Sequence, residues 1–137
     1  MKVLSFLQPW ASLTVMGLKK LETRSWSTSH RGELLIHASM GRSGAVLVKE
    51  PPFSKYITDF SKLPFGAIIG KAVLTNVIKV ELLHLPGEAI NRLSLEERAF
   101  GDYSNGRFVW VLEDPEIFSQ PIAVKGTLGL WNFEIEK

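Results

Sequence analysis

Residues 65–83, FGAIIGKAVLTNVIKVELL, set the strictest limit on the fold. The run is rich in β-branched side chains, which pack well on a pleated surface and lose rotamer freedom in a helix. It predicts a long strand. Gly66 and Gly70 inside it predict bends or bulges, the devices by which a strand this long joins a curved sheet. ELLIHA (33–38), RFVWVLED (107–114) and IAVKGTLGLWNFEI (122–135) add further strands, the last with Gly126 and Gly129 suited to tight curvature. LETRSW (21–26) reads as extended, with Glu22, Arg24 and Trp26 on one side and Leu21 and Thr23 on the other.

Helices are few and short. Pro9 fits the first turn of a helix reaching Met16, and Gly17 can end it in a left-handed conformation. Phe53, Ile57 and Phe60 share a helical face, SMGRSGAVLVKE (39–50) is a loop or helix, and Ser94 with Glu97 forms a capping-box pattern over SLEERAF. Strands outnumber helices and do not alternate with them. The fold class expected is therefore α+β and mostly β: a small, mostly antiparallel β-barrel, closed or nearly closed, with short flanking helices.

At 137 residues the chain has the usual size of one domain, 1–137, without repeat or linker. With 45% apolar and 22% charged residues it has the composition of a folded domain rather than a disordered one. The absence of cysteine excludes disulfides, thiol nucleophiles and thiolate metal sites, and fits a cytoplasmic protein. Gln8 and Pro9 break the N-terminal apolar run, arguing against a signal peptide, and no run approaches the ~20 residues of a membrane span. The expectation is a soluble protein. Net charge is +2, but it is unevenly spread. Lys2, Lys19, Lys20, Arg24, Arg31, Arg42 and Lys49 outnumber Glu22, Glu33 and Glu50 in the first fifty residues, whereas acids outnumber bases in the rest. A positive field, and any polyanionic partner, belongs to the N-terminal third.

GLKKLETRSW (17–26) crowds chemistry into the junction between helix and strand. Such a cluster is often a solvated, charge-balanced turn. It also suits a nucleobase and phosphate, with Lys19 and Arg24 for a phosphate or carbonyl edge, Glu22 for a base amine and Trp26 for stacking. His37 lies on the strand face opposite Leu34, Ile36 and Ala38, a position common for a buried, hydrogen-bonded histidine, with Ser39 on its side. Tyr103 and Arg107, in GDYSNGRFVW, are placed to close over the site from the other side, and Gln8 adjoins it. Trp10 and Trp131 read as core. No metal-ligand spacing, Walker loop or GxSxG motif occurs, so neither metal nor cofactor is expected.

Read together, LSFLQPWASLTVMGLKKLETRSW, RGELLIHAS, FGAIIGKAVLTNV, YSNGRFVWVL and VKGTLGLW resemble the ASCH domain family of the PUA-like superfamily. The family signature G-x-K-x-x-E-x-R is filled by Gly17, Lys19, Glu22 and Arg24. The resemblance implies a barrel of about five or six strands. It also implies a cleft between the first helix and the barrel, lined by Lys19, Glu22 and Arg24, and an RNA or nucleotide-like ligand. Compact relatives include amidohydrolases that deacylate the exocyclic amine of a modified cytidine through a threonine, a lysine and a glutamate. Here Lys19 is kept, Glu22 stands where that threonine falls, Thr23 is adjacent and Asn76 occupies the region of the second carboxylate. Ribonuclease activity is also associated with the family, and Lys19, His37 and Tyr103 are the groups here for metal-independent cleavage.

The leading expectation is an RNA- or nucleotide-binding domain with Lys19, Glu22, Arg24, Trp26, Gln8, His37, Ser39, Tyr103 and Arg107 as ligand contacts. Its rivals are a hydrolase of a modified nucleoside or of RNA, with Lys19 and Glu22 as catalytic candidates, and a protein-interaction module in which Glu22 and Arg24 form a structural ion pair. Lys19, placed in a turn without an assigned partner, is expected to cost little stability when removed. Lys20, Arg31 and Arg107 are expected to join Lys19 and Arg24 in a positive patch.

Overall fold

The computed structural model describes residues 1–83 and 93–135. Its strands are β1 (Lys2–Phe6), β2 (Leu21–Arg24), β3 (Gly32–Ala38), β4 (Ala67–Lys79), β5 (Phe108–Ala123) and β6 (Leu130–Asn132). They form one sheet in the order β2-β5-β4-β3-β1-β6. All neighbours are antiparallel except β1 and β3, which run parallel because the chain between them crosses over through α1 (Trp10–Val15) and β2. The sheet is strongly curled into a half-barrel with short helices, a PUA-like fold. It is open among the described residues, with β2 and β6 as its edges, a half-barrel where the sequence suggested a closed or nearly closed one.

The expected bends lie in β4. Its pairing with β5 shifts register between Ile68 and Gly70, between Lys71 and Val73 and between Leu74 and Asn76. Each bulge sharpens the local twist and rolls the sheet. Gly70 also seats the first helix: a side chain there would run into Val15 of α1 and the Glu116 carbonyl. Proline at 115 argues for a strand break, yet β5 continues to Ala123. The chain absorbs Asp114 and Pro115 at an irregular register, with Asp114 in the left-handed region (φ 49°). Residues 124–129, expected to be strand, instead lie outside any strand before β6.

The core follows the alternation of β3. Leu34, Ile36 and Ala38 pack with Phe6, Ala11, Val15 and Trp110 beneath α1. Leu35, on the other face, packs with Val3 and Ile68, and Trp131 and Val124 partly cover that cluster. Trp10 is half-buried between the core and a third cluster built on Leu13, Phe53, Ile57 and Phe100. Phe53 opens α2 (Phe53–Tyr56), and Phe100 closes α3 (Leu95–Phe100). The Ser94 hydroxyl caps α3 by accepting from the Glu97 amide at 3.0 Å. The reciprocal half of the capping box is not made, because the Glu97 side chain turns inward to the Lys20 amide.

Candidate functional site

The geometry of the signature begins where α1 stops. Gly17 takes φ +78°, and the amides of Leu18 and Lys19 both bond back to the Leu13 carbonyl. This tight reversal aims Lys19 into the protein. Its side chain is buried, with the residue 2% exposed, and its ammonium donates to the Leu21 carbonyl and to Glu22 Oε1, the latter at 3.0 Å. Glu22 is buried too. Its Oε2 accepts from Arg24 Nε at 3.1 Å and Nη2 at 2.9 Å, and its Oε1 accepts from the Thr23 amide at 3.2 Å. Burial alone would raise the Glu22 pKa, but Lys19 and Arg24 outweigh it and hold the carboxyl below the usual range.

Lys19 is thus no solvated turn residue with a dispensable side chain, and it contributes no surface charge to a positive patch. A buried ammonium persists only where its partners compensate the lost hydration. The sequence period could not reveal this, because the inward direction comes from the backbone reversal rather than from a helix or strand face.

Arg24 joins the buried pair to the surface. Its Nη2 also donates to the Ser5 carbonyl at 2.9 Å, and its guanidinium lies 5.1 Å from the Phe6 ring centroid. Arg107 is fixed similarly just before β5, its Nη2 donating to the Thr23 carbonyl at 2.9 Å and its Nε 3.6 Å from Asp102. Arg24 and Arg107 meet in one cavity of about 630 Å³, whose walls include Glu22, Thr23, Ser39, Trp10, Phe100 and Asp102. A second cavity of about 550 Å³ shares Ser5, Ser39 and Leu128 with it and adds His37. Four sequence-selected residues, Glu22, Arg24, Ser39 and Arg107, therefore line the first cavity, and His37 adjoins it.

The others lie elsewhere. Gln8 is fully buried and locks α1, its Oε1 accepting from the Ser12 amide at 3.0 Å while its Nε2 donates to Ser12 Oγ and the Pro64 carbonyl. Trp26 lies just beyond β2 and packs edge-on against Trp110 at 4.9 Å instead of facing the cavity. Tyr103 packs against the cluster of Leu21, Val80 and Val109. Burial, reinforced by Glu97 and Glu22, pushes its phenol well above the usual range, and its hydroxyl has no hydrogen-bond partner among the described residues. Lys19 and Lys20 border a smaller cavity of about 300 Å³ on another side, with Thr14 and Asp114. Arg31 bonds to the Thr28 and His30 carbonyls in its own loop.

Sequence reasoning missed Ser5, Thr23, Asp102 and Glu97. Ser5 had a faint signal, a polar residue alternating with Leu4 and Phe6 in an apolar strand. Glu97 had none, since its capping-box spacing pointed to a different role. Its carboxyl is pushed up by burial, against the pull of Lys19 and the amides of Lys20 and Leu21. Among the described residues no cluster of three His, Asp or Glu side chains could hold a metal ion, and no helix is long and apolar enough to cross a membrane.

The curled sheet, the inward signature lysine and the Glu22–Arg24 pair define a recognisable class. A model of the ASCH domain matches residues 4–121, and the chain belongs to the ASCH family. It is 29% identical to activating signal cointegrator 1 of Mus musculus and 28% identical to that of Homo sapiens. Each alignment covers 96% of this chain but 22% of the relative, so the chain spans about a fifth of these proteins. In three dimensions it is similar to the crystal structure of ASCH from Zymomonas mobilis, with a TM-score of 0.54, 19% identity, and coverage of 89% of this chain and 72% of that one. A mutant form of that protein gives 0.52 at 17% identity, covering 89% and 74%. This likeness is one of fold.

Proposed function

We propose that the cavity between α1 and the curled sheet binds a nucleotide unit of single-stranded RNA. The observation that carries the reading is the pair of guanidinium groups, Arg24 and Arg107, converging on one cavity while each is anchored to a backbone carbonyl. Anchoring removes much of the rotamer entropy that an arginine otherwise loses on gripping a phosphate. The cavity volume lies within the roughly 300–1,000 Å³ usual for small-ligand sites. Trp10 and Phe100 supply aromatic surface, and Ser39, Thr23 and Asp102 supply polar groups for a base edge.

In this reading Lys19 and Glu22 hold the site in shape. Both Glu22 oxygens are engaged with cations, and a carboxylate so stabilised is a poor base or nucleophile. This argues against the deacylase and ribonuclease readings that give Lys19 or Glu22 a catalytic role. The test is a fluorescence-anisotropy titration of short labelled single-stranded RNAs against wild type and Arg107→Ala, with melting curves for both. The expected result is saturable binding that Arg107→Ala weakens about ten- to a hundredfold, the loss of one charge-assisted contact. Absence of saturable binding by folded protein would favour a protein-interaction module.

A further inference from the structure

A second, separate arrangement lies next to this cavity. In the parallel pair of β1 and β3, Ser5 is the register partner of His37. Ser5 Oγ lies 3.0 Å from His37 Nδ1, and His37 Nε2 lies 2.7 Å from the Val124 carbonyl oxygen. A carbonyl only accepts, so Nε2 carries the hydrogen, and in the neutral ring Nδ1 offers its lone pair to the Ser5 hydroxyl. Trp131 Nε1 donates to Ser5 Oγ at 3.2 Å, which leaves the hydroxyl proton for the imidazole.

The pair is held from several sides. His37 is 1% exposed and stacks edge-on against Trp131 at 5.5 Å. Arg24 ties down the Ser5 backbone through its carbonyl. Gly126 passes so close that a Cβ there would lie 2.6 Å from His37 Cε1 and 2.7 Å from Ser5 Oγ. Ser5 itself is only half-buried and lines both cavities, so the hydroxyl is reachable while its base is sequestered.

We propose that Ser5, His37 and the Val124 carbonyl form a nucleophilic triad that hydrolyses carboxylic esters with an apolar acyl group. The arrangement meets the geometric demand on an activated serine: a base within hydrogen-bond reach, itself oriented by a third group. The acyl preference follows from the neighbouring 550 Å³ cavity, bordered by Met40, Gly66, Val124 and Leu128. Met40 and Leu128, both among its lining residues, are 66% and 95% exposed and offer it apolar surface. Lys125 lines the same cavity and is the cation available to a tetrahedral oxyanion.

As the bond from Ser5 Oγ to the acyl carbon forms, the hydroxyl proton passes to His37 Nδ1. Collapse of the tetrahedral intermediate breaks the ester C–O bond, and the alcohol departs with that proton. Water then gives a proton to Nδ1 and adds to the acyl carbon. Collapse of this second intermediate releases the carboxylic acid and returns the proton to Ser5, so water is the only co-reactant.

The experiment treats the folded chain with an alkyl fluorophosphonate and locates the adduct by peptide mass spectrometry, alongside hydrolysis of p-nitrophenyl butyrate. The expected result is phosphonylation of Ser5 and ester turnover, both abolished in Ser5→Ala. In His37→Gln turnover should fall about a hundredfold or more, the usual loss for a general base. The labelling readout uses wild type, so it stands even if a variant fails to fold. An unmodified Ser5 in folded wild type, or turnover persisting in Ser5→Ala, overturns the proposal.

Discussion

Replacing Lys19 by methionine isolates the charge of the signature lysine from the bulk of its side chain. The aliphatic stem stays, so packing is largely conserved, but the ammonium that bridges the Leu21 carbonyl and Glu22 is lost. Glu22 then keeps only Arg24 as a cationic partner, and a buried carbonyl is left without its donor. Breaking a buried ion pair from one side costs about 3–5 kcal/mol. For a chain of this size, with roughly 4 °C per kcal/mol, the midpoint should fall by about 10–20 °C. Thermal melts give the midpoint, and urea denaturation the free energy, for Lys19→Met, Glu22→Gln and the double variant. Because both changes strike one network, the double variant should lose less than the sum of the singles. If Lys19→Met stays within about 0.5 kcal/mol of wild type, the ammonium is not a buried structural group and the reasoning fails.

Four further outcomes follow from the same contacts. Because the folded-state pKa of Glu22 is depressed, its contribution is present above its unfolded value of 4.5 and is lost as pH falls through the lower folded value. Denaturation curves at several acidic pH values should therefore converge for wild type and Glu22→Gln. Glu97 has the opposite sign: its raised pKa makes its charge costly at neutral pH, a cost relieved as pH falls through the folded value toward 4.5. Wild type should gain stability relative to Glu97→Gln as pH falls through that range, and a wild type that loses ground to the variant on acidification would refute this. Gly126→Ala should crowd His37 and Ser5 and cost about 1–3 kcal/mol in a melt, with loss of Ser5 labelling. If Arg24 and Arg107 each grip one phosphate, log affinity against log salt should slope at about −1.4, and Arg107→Ala should reduce that slope by about 0.7.

Strand content and the placing of Glu22 and Arg24 were legible because they rest on local rules: β-branching, alternation and glycine punctuation. His37 fell on the expected face for the same reason. What failed had non-local causes. Gln8 reads as a polar group beside a helix, but its amide is consumed by Ser12 and by Pro64, far along the chain. Trp26 would continue the face of Glu22 and Arg24 only if β2 continued, and β2 ends at Arg24. The strands read at 107–114 and from 122 join into one, β5, because the irregular pairing that carries Pro115 leaves no mark in the sequence. Ser5 gained meaning only when the parallel pairing of β1 with β3 put it beside His37, a partner 32 positions away.

The central claim is that Arg24 and Arg107 converge on one bound nucleotide. The most direct measurement follows the side-chain Nε–H signals of these two arginines by NMR while a short single-stranded RNA is titrated into the protein. Both signals should shift together and saturate at the affinity found by anisotropy, with Arg31 unmoved in its own loop. Saturable RNA binding that leaves Arg24 and Arg107 unshifted would contradict the account, and would place the ligand elsewhere on the molecule.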